Sequence, residues 1–305
     1  MKTTVSPKGI LAGCFLLAAS LLPINVAHGA TACVWRVTNA PAPFYLVGTM
    51  HALSGHDYPL PKAYDQAMHD SKQFFFEIDP DIQSETDFSK RFLKGAVYPK
   101  GDDIRRHVHA QTWDFLAKRF RRSNLLGRGW YFGEEYVPGL QNIRPWAIAY
   151  YLWGINGYSD ISSRYGVDYH ISFDAKRHGK PCAGLETNEE HVDVLRGMSD
   201  ISSELTLLDA LVRGDKRRDD YDGMRQGWKQ GDVQPIAASM KRERDLNLGG
   251  ELRLLDYRNL RWLPKIEGAI KTGVPTSIVA GSAHFIGPNS VCDLLTKRGY
   301  KLEQL

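Results

Sequence analysis

The stretch that decides the predicted fold occurs twice, as Leu46-Val47-Gly48-Thr49-Met50-His51 and as Val279-Ala280-Gly281-Ser282-Ala283-His284. Each copy is an apolar strand that ends at a glycine, followed by a small hydroxyl residue, one further residue and a histidine. Open α/β sheets bind ligands at the carboxyl ends of their strands, and glycine allows a ligand to approach the backbone closely. We therefore expect Gly48 and Gly281 to adjoin a bound cofactor. A single histidine in such a place is usually a core or loop residue, but the pattern recurs 233 residues later, which favours a shared site for His51 and His284.

The remaining pattern predicts an α/β protein. Short β-prone runs occupy residues 33–38, 44–48, 73–79, 180–185 and 276–280, and residues 88–214 are mainly helical. A strand, a helix and a strand close the chain, as in a βαβ unit. We predict a mixed β-sheet core flanked by helices, with a helical insertion in the middle. No linker-like segment divides residues 31–305, so we expect a single domain there.

The charge balance argues against a nucleic-acid partner. The 305 residues include 39 Lys and Arg against 35 Asp and Glu, a formal net charge of +4. Binding to nucleic acid or to an anionic membrane normally requires a much stronger basic excess. A peptide or another small molecule is the expected partner instead.

The first thirty residues have the layout of a secretory signal peptide. Lys2 and Lys8 precede an uncharged apolar run over residues 10–26, and small residues follow it. The run is too short for a membrane-spanning helix, and no later segment is long and apolar enough to be one. A box resembling a lipoprotein cleavage site ends at Cys14, but it precedes the apolar run, so we interpret it as a coincidence. We predict that residues 1–30 are removed and that the protein is exported, to the periplasm in a Gram-negative cell.

Removal of this leader leaves three cysteines, Cys33, Cys182 and Cys292. In an oxidising compartment an odd number permits one disulfide and one free thiol, with three possible pairings. Their spacing differs from that of a structural zinc site, which contains close cysteine pairs.

Two carboxylates also follow apolar strands. Glu77 ends the run Phe74-Phe75-Phe76, and Glu186 ends Cys182-Ala183-Gly184-Leu185. For Glu186, capping of the next helix is an alternative. Together with His51 and His284 these residues form a set that Zn, Mn, Co or Fe accepts as ligands. A metal-bound water with a nearby carboxylate as general base is the chemistry of a hydrolase.

The motifs also resemble a known family. They are Trp35-Arg36-Val37, Gly48-Thr49-Met50-His51, Phe76-Glu77-Ile78, Gly166-Val167-Asp168, Gly184-Leu185-Glu186-Thr187, Tyr257-Arg258-Asn259 and Gly281-Ser282-Ala283-His284. In this order they are similar to the TraB/GumN family, from about Cys33 to Leu305. The resemblance implies an α/β fold built from two related halves, and kinship with the Tiki metalloproteases, the haem-binding ChaN and the erythromycin-esterase fold.

These observations lead to one main hypothesis and two alternatives. The main one is an exported metal-dependent hydrolase, a peptidase by resemblance, in which His51 and His284 hold the metal together with Glu77 or Glu186, and the remaining carboxylate acts as general base. Arg258 or Asn259 would steady the oxyanion, although a polar helix face is an equal interpretation of that pair. The alternatives are a protein that binds haem or a metal without turnover, and a partner-binding protein with a relic site. We expect Asp168 to be the N-cap of the helix that follows it, with a role in the site as the second interpretation.

Overall fold

The computed structural model describes residues 32–120, 130–132, 135–137, 139–155, 160–213 and 216–305. A six-stranded sheet forms its centre, in the order β6-β3-β7-β2-β1-β8. Its strands are β1 (Val34–Val37), β2 (Phe44–Thr49), β3 (Gln73–Phe76), β6 (Cys182–Gly184), β7 (Thr276–Gly281) and β8 (Leu302–Gln304). The four strands β6, β3, β7 and β2 are parallel, whereas β1 runs antiparallel to both β2 and β8. The predicted α/β class with a mixed sheet is confirmed.

The two strands of the repeated motif are neighbours at the centre of this sheet. Every residue of β2 and β7 is buried, as expected for parallel strands covered on both faces. Gly48 pairs with Ala280 and Thr49 with Gly281, so the two motifs are offset by one residue. Because the strands are parallel and adjacent, His51 and His284 leave the sheet at the same edge.

Helices surround the sheet and fill the middle of the chain. They are α1 (Lys62–Asp70), α2 (Ile82–Ala96), α3 (Ala110–Phe120), α4 (Pro145–Ile155), α5 (Val167–Arg177), α6 (Asn188–Arg196), α7 (Asp200–Val212), α8 (Lys216–Gln230), α9 (Gln234–Leu246), α10 (Leu248–Glu251), α11 (Tyr257–Lys271) and α12 (Val291–Lys297). A π-helical stretch, Leu252–Asp256, joins α10 to α11. A two-stranded ribbon, β4 (Trp130–Phe132) with β5 (Glu135–Val137), lies between α3 and α4.

The buried apolar side chains form two clusters. One packs on the sheet and includes Trp228 and Trp262, and the other lies among α2, α3, α4 and α7 around Leu116 and Trp146. The second cluster is the core of the predicted helical insertion. Its helix α4 is apolar on nearly all sides, which is typical of a buried helix.

Three further predictions concern the leader, membrane-spanning segments and the cysteines. Residues 1–30, the predicted signal peptide, lie outside the described residues. Within the described part, no helix has the length and apolar character needed to cross a membrane. Cys33, Cys182 and Cys292 are all free thiols there, so none of the three possible pairings is formed.

Candidate functional site

His51 is held by a carboxylate on the neighbouring helix. Its Nδ1 lies 3.0 Å from Asp168 Oδ2, and Thr49 donates its hydroxyl to Asp168 Oδ1 at 2.8 Å. The predicted capping role of Asp168 is wrong, because α5 begins at Val167 and Gly166 is its N-cap. Asp168 is thus free to bind the imidazole. Its charge raises the pKa of His51 to about 9, so His51 is protonated at neutral pH.

Glu77 lies between the two motif histidines. Its Oε1 accepts the backbone N–H of Gly281 at 2.8 Å and lies 3.5 Å from His51 Nε2. Its Oε2 lies 3.7 Å from His284 Nε2 and accepts a hydrogen bond from Arg258. Burial alone would raise the pKa of Glu77, but the charge of Arg258, with that of the protonated His51, lowers it well below its usual range. Glu77 is therefore an ionised carboxylate that connects both copies of the motif.

Arg258 is buried, and all the N–H groups of its guanidinium form hydrogen bonds within the protein. Nε and Nη2 donate to Glu186 Oε1 at 3.0 and 2.7 Å, and Nη2 also donates to Glu77. Nη1 donates to the carbonyl oxygen of Leu254 at 3.2 Å and to His284 Nε2 at 3.1 Å. Burial opposes its charge, but the two glutamates outweigh that effect and raise its pKa. These five bonds account for all five N–H donors of an arginine.

Glu186 belongs to this buried network. Helix α6 is capped instead by Thr187, which forms a capping box with Glu190, so the capping alternative for Glu186 is wrong. Glu186 Oε2 accepts the indole N–H of Trp262 at 3.0 Å, and Oε1 lies 2.7 Å from Nδ1 of His191. Burial tends to raise the pKa of Glu186, but the hydrogen bond with His191 and the charge of Arg258 lower it.

His284 is neutral, and its tautomer is fixed by Asn259. The amide nitrogen of Asn259 donates to the carbonyl oxygen of Asn289 at 2.9 Å, so its Oδ1 faces Nδ1 of His284 at 2.7 Å. Nδ1 therefore carries the proton, and Nε2 accepts from Arg258. Burial lowers the pKa of His284 to about 3. Asn259 is 1% exposed and Arg258 is 5% exposed, so the interpretation of this pair as a polar helix face is wrong.

An open cleft of about 640 Å³ adjoins this network. The described residues that line it include His51, Glu77, Phe88, Asp168, Tyr169 and His191. This volume lies within the ~300–1,000 Å³ of typical small-molecule sites. The side chain of His51 is 64% exposed, so a bound substrate can reach it directly. Arg258 contacts Glu77 and His191 from the buried side of the cleft.

The two motif glycines are packed against different neighbours. A Cβ on Gly281 would lie 2.9 Å from His51 Nε2, so this glycine leaves room for the imidazole. A Cβ on Gly48 would lie 2.8 Å from Ser282 Oγ and 2.9 Å from the carbonyl oxygen of Cys33. Gly48 thus permits close packing inside the protein. Whether either glycine adjoins a bound cofactor stays a prediction.

The observed donor set does not fit the divalent metal that the sequence led us to expect. Among the described residues, no three His, Cys, Asp or Glu side chains are grouped so that they could hold an ion. Glu77 Oε2, Glu186 Oε1 and His284 Nε2 each accept a hydrogen bond from Arg258. A guanidinium therefore lies at the centre of the predicted ligands. We derive no chemical step through a metal.

The model of the TraB/PrgY/gumN family matches residues 33–304. The chain belongs to this family. No curated protein and no solved structure matches it. The match places both Gly-x-x-His motifs, both glutamates and the Arg258-Asn259 pair inside the TraB/PrgY/gumN region, which confirms the resemblance.

One site residue of this TraB/PrgY/gumN protein, His191, escaped the sequence analysis, and another, Asp168, was assigned first to a helix cap and only second to the site. His191 lies one turn into α6 and binds Glu186, and Asp168 binds His51. The signal for His191 was its place five residues after Glu186, just past a predicted strand end. For Asp168 the signal was its position directly before an apolar helix, which is equally typical of a cap. Neither pattern identifies the partner side chain, because that partner is distant in sequence.

Proposed function

We propose that this protein is a hydrolase that cleaves an acyl bond in the cleft between His51 and His191. The observation that carries the proposal is the presence of two imidazoles in one cleft, each bound at Nδ1 by a carboxylate. His51 Nδ1 lies 3.0 Å from Asp168, and His191 Nδ1 lies 2.7 Å from Glu186. A histidine held in this way keeps one ring orientation and directs Nε2 toward its reaction partner.

His51 is assigned the role of proton donor. The charge of Asp168 favours its protonated form, with a pKa of about 9, and its exposed ring reaches the cleft. In this form Nε2–H can donate a hydrogen bond to the carbonyl oxygen of the substrate and then a proton to the leaving nitrogen or oxygen. Glu77 accepts from the Gly281 amide and lies beside His51, where its charge favours the same protonated form.

His191 is assigned the role of proton acceptor. Its Nδ1 lies 2.7 Å from Glu186, which only accepts, and 3.1 Å from Nη2 of Arg258, which only donates. The shorter contact is the one to Glu186, so Nδ1 carries the proton and Nε2 has a free lone pair. Nε2 takes one proton from water as the hydroxide oxygen bonds to the acyl carbon. The proton from His51 leaves with the departing group, and the products are an acid and an amine or alcohol.

The buried residues hold these two histidines in place. Arg258 joins Glu77 beside His51 to Glu186 beside His191. Arg258 presents no unused donor to the cleft, because its N–H groups bind Glu77, Glu186, His284 and a main-chain carbonyl oxygen. Asn259 is buried and donates to the carbonyl oxygen of Asn289. We therefore assign a positioning role to both residues. Their contact with an oxyanion, which the sequence analysis expected, stays a prediction.

Peptide bonds are the first substrate class to test, because of the resemblance to peptidases and the open cleft. Export to the periplasm completes the proposal and rests on the N-terminal sequence alone. The haem-binding alternative predicts a shift of the Soret band when haem is added to the purified protein, and the same sample provides that measurement.

The test compares variants of the two cleft histidines with a matched control. His51→Gln and His191→Gln should each lower kcat/KM on fluorogenic peptides or esters by about 10²–10⁴-fold. His69→Gln is the control, because His69 also binds a carboxylate through Nδ1, 3.1 Å from Asp70, but outside the cleft. Equal activity in all three variants at unchanged melting temperature would refute the assignment. A wild-type protein inactive on all peptide and ester probes would refute the proposed reaction.

A further inference from the structure

Helix α5, beside His51, carries two exposed aromatic side chains. Tyr169 is 49% exposed and Phe173 is 56% exposed, and they lie one helical turn apart on the same face. Their rings are stacked, with centroids 6.3 Å apart and planes inclined by 15°. Single exposed apolar residues are ordinary on a protein surface, whereas adjoining ones are typical of a binding surface.

This aromatic pair continues the cleft. Tyr169 lines the cleft, and so does Ser172 in the next turn of α5. Asp168, directly before Tyr169, lies 3.0 Å from Nδ1 of His51. Helix α5 therefore forms the wall of the cleft next to His51, and Phe173 extends that wall through its stack with Tyr169.

The proposed reaction gives this wall a role. His51 is assigned as the group that protonates the departing nitrogen or oxygen, so the leaving group of the substrate must contact His51. We propose that Tyr169 and Phe173 bind the leaving-group segment of a peptide substrate, and that they select aromatic or large aliphatic side chains at its first and third residues. This inference rests on the proposed hydrolase function, because His51 defines the leaving-group side.

The spacing of the two rings supports the choice of positions. An extended chain rises about 3.3 Å per residue, and its side chains alternate between two faces. Its first and third residues therefore lie on one face, about 6.6 Å apart. The ring centroids of Tyr169 and Phe173 are 6.3 Å apart. An extended segment that runs along α5 can thus place one side chain on each ring, while its second residue points away.

An aromatic residue elsewhere in the cleft has a different neighbour. Phe88 also lines the cleft, but its ring packs edge to face against His191, with centroids 5.3 Å apart. Phe88 thus supports the ring of the proposed proton acceptor. Tyr169 and Phe173 stack on each other and leave about half of each residue exposed, so their rings are accessible to a substrate.

The first test maps cleavage sites in a mixed peptide library by mass spectrometry. In wild type we expect Phe, Tyr and Leu to be favoured over Ala by roughly 2–10-fold, the contribution of one aromatic contact, at the first and third residues after the cleaved bond. Tyr169→Ala should lose the preference at the first residue, and Phe173→Ala that at the third. Phe115→Ala is the matched control, because Phe115 is 43% exposed on another helix, α3, and should keep both preferences.

The second test measures binding without turnover. Its probes are labelled peptides in which a reduced CH2–NH bond replaces the scissile amide, so that they cannot be hydrolysed. One probe has Phe at the first and third residues after that bond, a second has Phe at the second and fourth, and a third has Ala throughout. By fluorescence anisotropy the first should bind wild type and Phe115→Ala most tightly. Tyr169→Ala and Phe173→Ala should each weaken this binding by roughly 2–10-fold at unchanged melting temperature.

The outcomes separate this inference from the reaction on which it rests. Cleavage without these preferences, or preferences that both α5 variants retain, would overturn the inference and leave the hydrolase in place. Enrichment only before the cleaved bond would overturn the assigned direction. A wild-type protein that cleaves nothing but binds the first probe through Tyr169 and Phe173 would refute the reaction and support the aromatic binding surface. If both variants instead abolish self-association and leave the affinity for every probe unchanged, the surface is an interface between copies of the chain, and the inference is wrong.

Discussion

Replacing Asp168 by Asn tests the electrostatic basis of the proposed proton donor. Asp168 is the largest cause of the raised His51 pKa, which is about 9 against an ordinary value of 6.5. The substitution keeps the size of the side chain and removes its charge. Measured effects of one adjacent opposite charge are about 1–3 pKa units, and the His51 side chain is 64% exposed to screening water. We therefore expect the pKa of His51 to fall by roughly 1–2 units.

The sign of the stability effect follows from the direction of the shift. A raised pKa means that folding favours the protonated imidazole, so the stabilisation is complete below pH 6.5 and is lost as the pH rises toward about 9. A fall of 1–2 pKa units, already reduced for screening at the exposed ring, corresponds to a contribution of about 1.4–2.7 kcal/mol to the free energy of unfolding. Asp168→Asn should lose it at pH 6 and differ little from wild type near pH 10.

The assay is an NMR titration of the histidine ring nitrogens, with His51→Gln to assign the signal. It reports the pKa without requiring turnover. Asp70→Asn is the control, because Asp70 binds another histidine, His69, and should leave the His51 titration unchanged. A wild-type His51 that titrates near 6.5, or one whose pKa is unaffected by Asp168→Asn, would refute the reasoning. In active protein, the pH above which kcat/KM declines should be lower in Asp168→Asn than in wild type, by the same amount as the pKa of His51.

The two motif glycines should respond differently to alanine. Gly281→Ala places a methyl 2.9 Å from His51 Nε2, so it should displace the ring and lower kcat/KM by at least tenfold while the melting temperature changes little. Gly48→Ala places a methyl 2.9 Å from the carbonyl oxygen of Cys33 and 2.8 Å from Ser282 Oγ. Because the main chain cannot yield easily there, denaturant unfolding should show a loss of about 1–3 kcal/mol. Reversal of these two outcomes would mean that the packing of the glycines is misassigned.

The sequence predicted the sheet well because its strands are short, apolar and bounded by clear breakers. Residues 44–48 and 276–280 were predicted as strands, and the structure extends each by one residue, to Phe44–Thr49 and Thr276–Gly281. Parallel strands buried on both faces are continuous apolar runs, which are easily recognised. The repeat favoured a shared site at one edge of the sheet, but it did not predict that β2 and β7 are neighbours.

The partners of the site residues were harder to predict, because they depend on contacts between distant segments. Asp168 has the local sequence of a helix cap, and its binding to His51 arises only because Gly166 brings α5 against the end of β2. A Cβ on Gly166 would lie 2.3 Å from the carbonyl oxygen of His51, so no larger residue permits this approach. The local sequence indicates that a carboxylate, Asp168, follows a turn, but it does not indicate which imidazole this carboxylate will bind.

The metal expectation stays a prediction and rests on the same local information. It counted the residue types at the strand ends and assumed that four potential ligands near one edge would share an ion. Arg258 lies on α11, between β6 and β7 in the sequence, and its pairing with the glutamates arises because the fold buries it beside them. With its charge present, Glu77 and Glu186 are paired without an external cation.

The two copies of the motif illustrate how one local sequence leads to opposite chemistry. His51 and His284 occupy equivalent places after adjacent parallel strands, yet the pKa of the first is raised to about 9 and that of the second is lowered to about 3. The exposed ring of His51 faces the charge of Asp168, whereas the buried ring of His284 faces the neutral amide of Asn259 and the guanidinium of Arg258. The repeat therefore determines where the imidazoles lie, and the helices packed against the sheet edge determine which of them carries a proton.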